Sequence, residues 1–163
     1  MTPSDWMKKR TENPIPGDVF EIKHQARFAY IQFVGENTRY GEIIRVAPGL
    51  LDSRTNDFES LFSTAYFTLY PINRACKLKM VEKAGALPPP PVPSSWRRRG
   101  AIIGMEIKTW FIDESGKDRI VRELSAEEAS LPIASIWNHE YLLETIAEGW
   151  TPSKGLEGTQ TGP

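Results

Sequence analysis

The residues of this chain that could do chemistry are mainly carboxylates, and they concentrate near its C-terminal end. Residues 113–150 hold nine acidic and three basic side chains, whereas residues 1–112 hold 16 basic and 11 acidic ones. The net charge of −1 over all 163 residues therefore conceals an acidic end. Such an end suits a basic protein partner and opposes nucleic acid.

The last predicted helix carries the most unusual of these carboxylates. Glu140, Glu144 and Glu148 are spaced i, i+4 and i+8, so they form one stripe on the helix surface. Like charges at this spacing repel, and Glu144 and Glu148 also lie at the negative end of the helix macrodipole. A sequence that keeps such an unfavourable arrangement indicates a binding surface, although an incidental solvated face is the simpler alternative.

Carboxylates from a hairpin turn at 113–118 and from the pair at 127–128 are predicted to extend this acidic surface. Tyr141, and Tyr40 from an earlier segment, are candidate aromatic anchors. The predicted binding residues are Asp113, Glu114, Asp118, Glu127, Glu128, Glu140, Tyr141, Glu144 and Glu148.

Motifs for catalysis and for cofactor binding are missing from the sequence. His24, His139 and the single cysteine, Cys76, show no zinc-ligand spacing. There is no phosphate-binding glycine loop and no nucleophile elbow, and nothing marks two carboxylates as an acid and base pair. The sequence therefore predicts a protein that is not an enzyme, with no catalytic residues, no metal site and no cofactor. Cys76 is expected to be a buried, inert thiol.

Cysteine usage and hydropathy predict a cytoplasmic protein without membrane contact. A single cysteine excludes an internal disulfide and fits a reducing compartment. No apolar run approaches the ~20 residues of a transmembrane helix. The basic residues at 8–10 are not followed by the apolar core of a secretory signal.

A basic segment supports an alternative function. Trp96, Arg97, Arg98 and Arg99, together with Lys77, Lys79 and Lys83, could form a small nucleic-acid-binding surface on a β-rich domain. The opposing interpretation is a loop that packs Trp96 and pairs its arginines with the acidic end. The proline-rich segment 88–93 is either an interface for an aromatic groove or a rigid polyproline scaffold.

The pattern of the chain predicts about seven short strands with few helices. One helix is predicted from Asn56, with Glu59 at capping-box spacing, and a short one from Ser125, with Glu128 at the same spacing. The predicted strands are 18–22, 27–34, 39–46, 67–72, 77–83, 107–112 and 119–124.

The segment 131–150 carries a full set of helix start and stop signals. Asn138 is a good N-cap residue, and Trp137 and Leu142 have the spacing of a hydrophobic staple. Gly149 can adopt the left-handed conformation that ends a helix, and Pro152 prevents the helix from resuming. A helix is therefore predicted over 139–148.

These elements predict one domain of α+β class. The expected architecture is a mainly antiparallel twisted sheet or partly open barrel, with two to three short helices packed on it. The domain should span 17–150, between an extended N-terminal arm at 1–16 and a disordered tail at 151–163.

Three segments of the sequence resemble the immunity protein 26 family of bacterial polymorphic-toxin systems. They are Gly17-Asp-Val-Phe-Glu-Ile22, Phe67-Thr-Leu-Tyr-Pro-Ile-Asn-Arg-Ala75, and the Leu-Pro-Ile motif from Leu131 with the helix that follows it to Trp150. Their order and spacing cover roughly residues 16–150.

The resemblance implies a non-catalytic antidote. Such a protein binds and neutralises a cognate toxin protein, and many toxins of these systems are basic nuclease domains. The acidic residues above would then be the toxin-binding residues, with charge complementarity speeding capture. Binding to nucleic acid or to a membrane is not expected.

Overall fold

A computed structural model describes residues 13–152 of the chain. Most of the predicted arm at 1–16 and of the predicted tail at 151–163 lies outside these residues. The described part is an α+β fold with antiparallel sheets of five, three and two strands and four helices, and none of these sheets closes into a barrel. The predicted fold class is confirmed, in the form of open sheets.

The largest sheet has the strand order β4-β3-β2-β1-β5, and all its neighbours are antiparallel. Gly17 turns the chain into β1 with φ of +104°, and a Cβ there would lie 3.0 Å from the carbonyl oxygen of Leu87, so this position favours glycine. The strands are β1 (Asp18–His24), β2 (Arg27–Asn37), β3 (Gly41–Val46), β4 (Tyr66–Leu69) and β5 (Glu82–Ala86).

Both faces of this sheet are covered, which explains why the central strands are buried along nearly their whole length. One face, with Phe20 and Ile31, packs on α2 (Ile72–Lys77) and α4 (His139–Ala147). The other face, with Val19 and Tyr30, packs on α1 (Phe58–Leu61) and the 3₁₀ turn after it (Phe62–Thr64). Each large side chain buried in this way stabilises the fold by about 1.5–3 kcal/mol.

The 113–118 hairpin of the acidic end belongs to a smaller sheet. A three-stranded sheet has the order β10-β9-β6, and a two-stranded sheet pairs β7 with β8. A short helix, α3 (Ala126–Ala129), follows the three-stranded sheet. The strands are β6 (Ser95–Arg99), β7 (Ile102–Ile103), β8 (Glu106–Ile107), β9 (Trp110–Glu114) and β10 (Lys117–Val121).

The segment 131–137 joins the two main sheets. Arg97 of β6 donates its backbone N–H to Pro132 and accepts one from Ala134, at 2.9 and 2.8 Å. Trp137 donates its backbone N–H to Leu69 of β4 at 2.9 Å. Trp96 of β6 packs in the same buried cluster as Val34 and Ile43 of the large sheet. These contacts place the start of α4 beside β4 of the large sheet.

Several predicted elements were wrong in type or in position. The segment 77–83 is not one strand: α2 ends at Lys77, Lys79 adopts φ of +56°, and β5 begins only at Glu82. The predicted strand 67–72 ends at Leu69 because α2 begins at Ile72. Burial of Ile72, Ala75 and Cys76 favours the helix at 72–77, and the left-handed turn at Lys79 that ends it interrupts the predicted strand 77–83.

One turn and one helix cap were also misplaced. The predicted strands 27–34 and 39–46 imply a turn at 35–38, but Gly35 lies inside β2, where a bulge shifts the register, so β3 begins at Gly41 rather than at residue 39. The cap of the first helix lies one residue later than predicted, because the side chain of Asp57, rather than that of Asn56, accepts the N–H of Ser60 at 3.3 Å. Within residues 13–152 no helix is long and apolar enough to span a membrane.

Candidate protein-binding surface

Helix α4 is fixed at both ends as its sequence predicts. The side chain of Asn138 accepts the backbone N–H of Tyr141 at 2.8 Å, and Gly149 adopts φ of +67° just beyond the last turn. Leu142 and Ile146 are fully buried in the cluster that also contains Trp137. The inner face of α4 is therefore anchored, and its outer face is held rigid.

The three glutamates of the stripe lie on that outer face. Glu140, Glu144 and Glu148 are all exposed. No salt bridge found between residues 13 and 152 uses any of their carboxylates. The stripe is thus an unneutralised row of charge on a well-anchored helix.

Tyr141 is the aromatic residue nearest this row in sequence. Its ring packs edge-on against Trp137 with centroids 5.0 Å apart. Trp137 in turn contacts Trp150 edge-on and Tyr66 in a tilted arrangement. Tyr141 is half-buried, so part of its ring remains available to a partner. The partly buried aromatic base gives it the rigidity of an anchor.

The hairpin carboxylates have different surroundings, and Asp113 differs most. Its side chain is buried and accepts hydrogen bonds from the Tyr40 hydroxyl at 2.7 Å, the Arg39 guanidinium at 3.2 Å and the backbone N–H of Gly116 at 2.9 Å. Asp113 therefore holds the turn of its own hairpin and ties it to the large sheet. It is placed inside the protein rather than at the predicted contact surface.

Asp118 is neutralised by two arginines. Arg39 forms a two-pronged pair with it, both distances being 2.9 Å, and Arg98 approaches to 2.8 Å. The hydrogen bond from Arg39 is the main reason why the pKa of Asp118 is lowered. Its negative charge is therefore largely neutralised by arginines of the same chain.

Arg119 neutralises two more of the predicted residues. It contacts Glu114 at 2.9 Å and Glu128 at 2.6 Å. Glu128 also completes a capping box with Ser125, and the bond from the Ser125 backbone N–H is the main cause of its lowered pKa. Glu127 is exposed on the same short helix.

The structure therefore divides the predicted binding residues into two groups. Glu127, Glu140, Tyr141, Glu144 and Glu148 present groups to solvent that form no salt bridge among the described residues. The others, Asp113, Glu114, Asp118 and Glu128, are paired with arginines or with backbone N–H groups. We call the exposed face with Glu140, Glu144, Glu148 and Tyr141 the helix surface.

The basic segment of the alternative function is part of the core. It forms strand β6 rather than a loop, and Trp96 and Arg97 are both fully buried. Arg97 stacks over the ring of Trp110 at 4.6 Å, and burial lowers its pKa to about 10. Trp96 therefore cannot stack on a base, and Arg97 cannot reach a phosphate. The pairing of Arg98 with Asp118 confirms that this segment meets the acidic end.

The lysines of the same alternative do not form one basic surface with β6. Lys77 ends α2 and Lys79 follows in a turn, and both are exposed. Lys83 lies on β5 and pairs with Asp18 at 3.2 Å. The described residues thus contain no continuous basic stripe that includes Trp96.

The remaining reactive groups are buried or bonded to neighbours. Burial raises the pKa of the Cys76 thiol to about 11, as expected for an inert cysteine. The ring of His139 bonds to the Tyr70 hydroxyl at 2.8 Å, and burial lowers its pKa. No group of three potential metal ligands occurs among the residues that the structure describes.

One pair of neighbouring carboxylates was not predicted from the sequence. Glu21 of β1 lies directly opposite Glu82 of β5, beside a shallow cavity of about 310 Å³. Glu21 is buried and accepts the Tyr30 hydroxyl at 2.8 Å and the Arg54 guanidinium at 2.9 Å. Only strand pairing reveals this proximity, because the two glutamates lie 61 positions apart in the sequence. The pairing of Glu21 favours a structural role in holding the 52–57 loop on the sheet.

The exposed apolar segment between β6 and β9 was also not predicted from the sequence. The segment 101–107 projects Ile102, Ile103 and Met105 into solvent. A short apolar stretch with a central glycine, Ile-Ile-Gly-Met, could have indicated an apolar hairpin.

No protein-family model, curated protein or solved structure significantly matches this chain. The resemblance to the immunity protein 26 family therefore stays a prediction from the sequence motifs.

Proposed function

We propose that this chain is a non-catalytic immunity protein that binds and neutralises a cognate bacterial toxin domain, with the helix surface as its main contact. The observation that carries the proposal is the row formed by Glu140, Glu144 and Glu148. These carboxylates are exposed, lie on an anchored helix and have no salt bridge within the described chain.

An unpaired row of this kind favours a cationic partner. Paired carboxylates must lose an internal contact before they can bind, whereas these three need only shed water. Complementary charge speeds the encounter between proteins and fixes their relative orientation. Because α4 is capped and buried along its inner face, little conformational entropy is lost when its outer face is covered.

The paired carboxylates hold the fold together rather than face a partner. Arg39, Arg98 and Arg119 fix the hairpin and the short helix α3 in place. A standard interface buries about 800 Å² per partner, so the surrounding residues must also contribute area. Tyr141 is the aromatic anchor of this interface, and Glu127 offers a further exposed carboxylate on α3. The partner is a basic toxin domain met in the cytoplasm.

The test begins with a toxin domain recovered from the source bacterium by using this chain as bait. The purified toxin is then titrated with wild type and with the triple variant E140K/E144K/E148K at two salt concentrations. We expect the variant to bind at least about tenfold more weakly, because three attractive contacts become repulsive, and its affinity to depend less on salt.

A matched control carries the same change in net charge at other exposed sites, E36K/E59K/E123K. We expect it to bind nearly as tightly as wild type and to protect growing cells from the toxin, whereas the α4 variant fails to protect. Equal loss in both triple variants would mean that only net charge matters. Full binding by the α4 variant would remove the helix surface from the interface.

A further inference from the structure

The segment between β6 and β9 forms a two-stranded arm with an apolar tip. We call residues 101–108 the arm. Its two-residue turn begins at Gly104, whose φ of +65° is that of the first position in a type II′ hairpin. Ile102, Ile103 and Met105 are 55%, 68% and 80% exposed. The arm therefore presents three large apolar side chains to water.

An exposed apolar hairpin of this kind is a site for strand pairing. Two-stranded hairpins are marginally stable alone, and natural sheet edges are usually protected by several charges, proline or a bulge. The arm contains no proline, and its charged residues are Glu106 and Lys108, which pair with each other at 2.6 Å. These properties favour a further strand that covers the arm.

The open edge of the arm is that of β8. Lys108 donates its backbone N–H to Ala101 at 2.8 Å, so its backbone groups face β7. Successive residues of a strand direct these groups to opposite edges, so the N–H and C=O of Ile107 face outward. Strand β10 ends at Val121, opposite Trp110, and no strand of the described chain pairs with β8 on this side.

The charges along this edge are complementary to themselves. When two copies pair antiparallel with Ile107 opposite Ile107, Glu106 of each copy lies opposite Lys108 of the other. Opposite charges in such cross-strand positions stabilise a sheet, and the two contacts are related by a twofold axis. The other edge of the arm lacks this property, because pairing centred on Ile102 places Ala101 opposite Ile103.

We infer that the arm binds the arm of a second copy of this chain along β8, so that two protomers form a four-stranded antiparallel sheet. Ile102 and Ile107 of both copies then lie in one row across that sheet. The interface is smaller than the roughly 800 Å² per partner of a standard complex, so the dimer is weak and dissociates in the micromolar range.

Analytical ultracentrifugation of the full chain tests this pairing, over about 1 to 500 μM, the range of weak small interfaces. Wild type should change from monomer to dimer across this range. E106K alone and K108E alone should each raise the dissociation constant at least about tenfold, because like charges then face each other across the strands. The double variant E106K/K108E should dimerise like wild type.

Mixing the two single variants gives the sharpest result. One copy then presents two lysines and the other presents two glutamates, so the mixture should form heterodimers although neither variant dimerises alone. E36K is the matched control for net charge and should dimerise like wild type. The arm pair is exposed, so circular dichroism should show both single variants folded.

Two outcomes would overturn the inference. One is a wild type that stays monomeric at every concentration, which would leave the arm to a different partner. The other is a dimer that E106K and K108E do not weaken and whose mixture gains nothing. The inference does not depend on toxin binding, since E140K/E144K/E148K should leave the dimer unchanged.

Discussion

Two groups of carboxylates lie within 36 residues of each other in sequence, and the fold uses them in opposite ways. The hairpin carboxylates and Glu128 of α3 face arginines: Asp113 and Asp118 meet Arg39, and Glu114 and Glu128 meet Arg119. The α4 carboxylates face solvent. A high density of acidic residues in a sequence therefore does not locate the negative surface, because arginines from other segments decide which charges remain free.

The two groups also differ in what they do for stability. A buried carboxylate that accepts three hydrogen bonds stabilises the fold as long as all its partners are present. An exposed row of like charges at i, i+4 spacing slightly destabilises its helix. We therefore expect mutations in the first group to change folding and mutations in the second group to change binding.

Replacing Asp113 should have the largest effect. D113A leaves the Tyr40 hydroxyl and the Gly116 N–H without their acceptor and removes a partner of Arg39. We expect the free energy of unfolding to fall by about 3 kcal/mol, measured by urea denaturation at pH 7. Y40F removes one bond of the same network and should cost about 1 kcal/mol. A D113A variant as stable as wild type would mean that both acidic groups are merely surface charge.

The acid dependence of stability should distinguish Asp118 in the same way. Its pKa is lowered, mainly by the hydrogen bond from Arg39. A carboxylate with a lowered pKa in the folded state stabilises the protein above its unfolded-state pKa, and this contribution disappears as the pH falls through the folded-state value. D118N should therefore be less stable than wild type at pH 7, and the difference should shrink below about pH 4.

Urea denaturation at several pH values from neutral to acidic measures that difference. A constant gap between wild type and D118N at all pH values would contradict a role for the ionised carboxylate. It would point instead to lost packing in the variant.

Neutralising the end of the α4 stripe should have the smallest effect on stability, and in the opposite direction. E144Q/E148Q removes repulsion along the stripe and two negative charges from the C-terminal turns. We expect a gain of about 0.3–0.5 kcal/mol in the free energy of unfolding, with weaker toxin binding. A marked loss of stability would show that these side chains have structural partners and would weaken the distinction between the two groups.

Local signals in the sequence predicted local structure well. The cap at Asn138, the left-handed Gly149 and the capping box of Ser125 with Glu128 were all confirmed, because each depends on residues within one or two helical turns. Prediction failed where tertiary burial competes with a short pattern. At 77–83 the alternation of apolar residues indicated a strand, but the end of α2 and the left-handed turn at Lys79 take up the start of that segment.

The candidate site was predictable only as a region. Its charge and its helical stripe follow from residue types and spacing. The burial of Asp113 does not, because Arg39 and Tyr40 lie 74 and 73 positions away in the sequence. The same holds for Trp96 and Arg97, whose basic and aromatic composition indicated a surface although strand pairing places them in the core.

The sequence by itself determined the α+β class, the segregation of acidic charge and the position of the last helix, because these depend on composition and on short-range periodicity. Only the tertiary structure decided which carboxylates are free, which arginines are buried and which strand edge is open. Those properties arise from contacts between segments that are far apart in the chain. Burial and charge pairing depend on distances in space, and separation along the sequence does not give those distances.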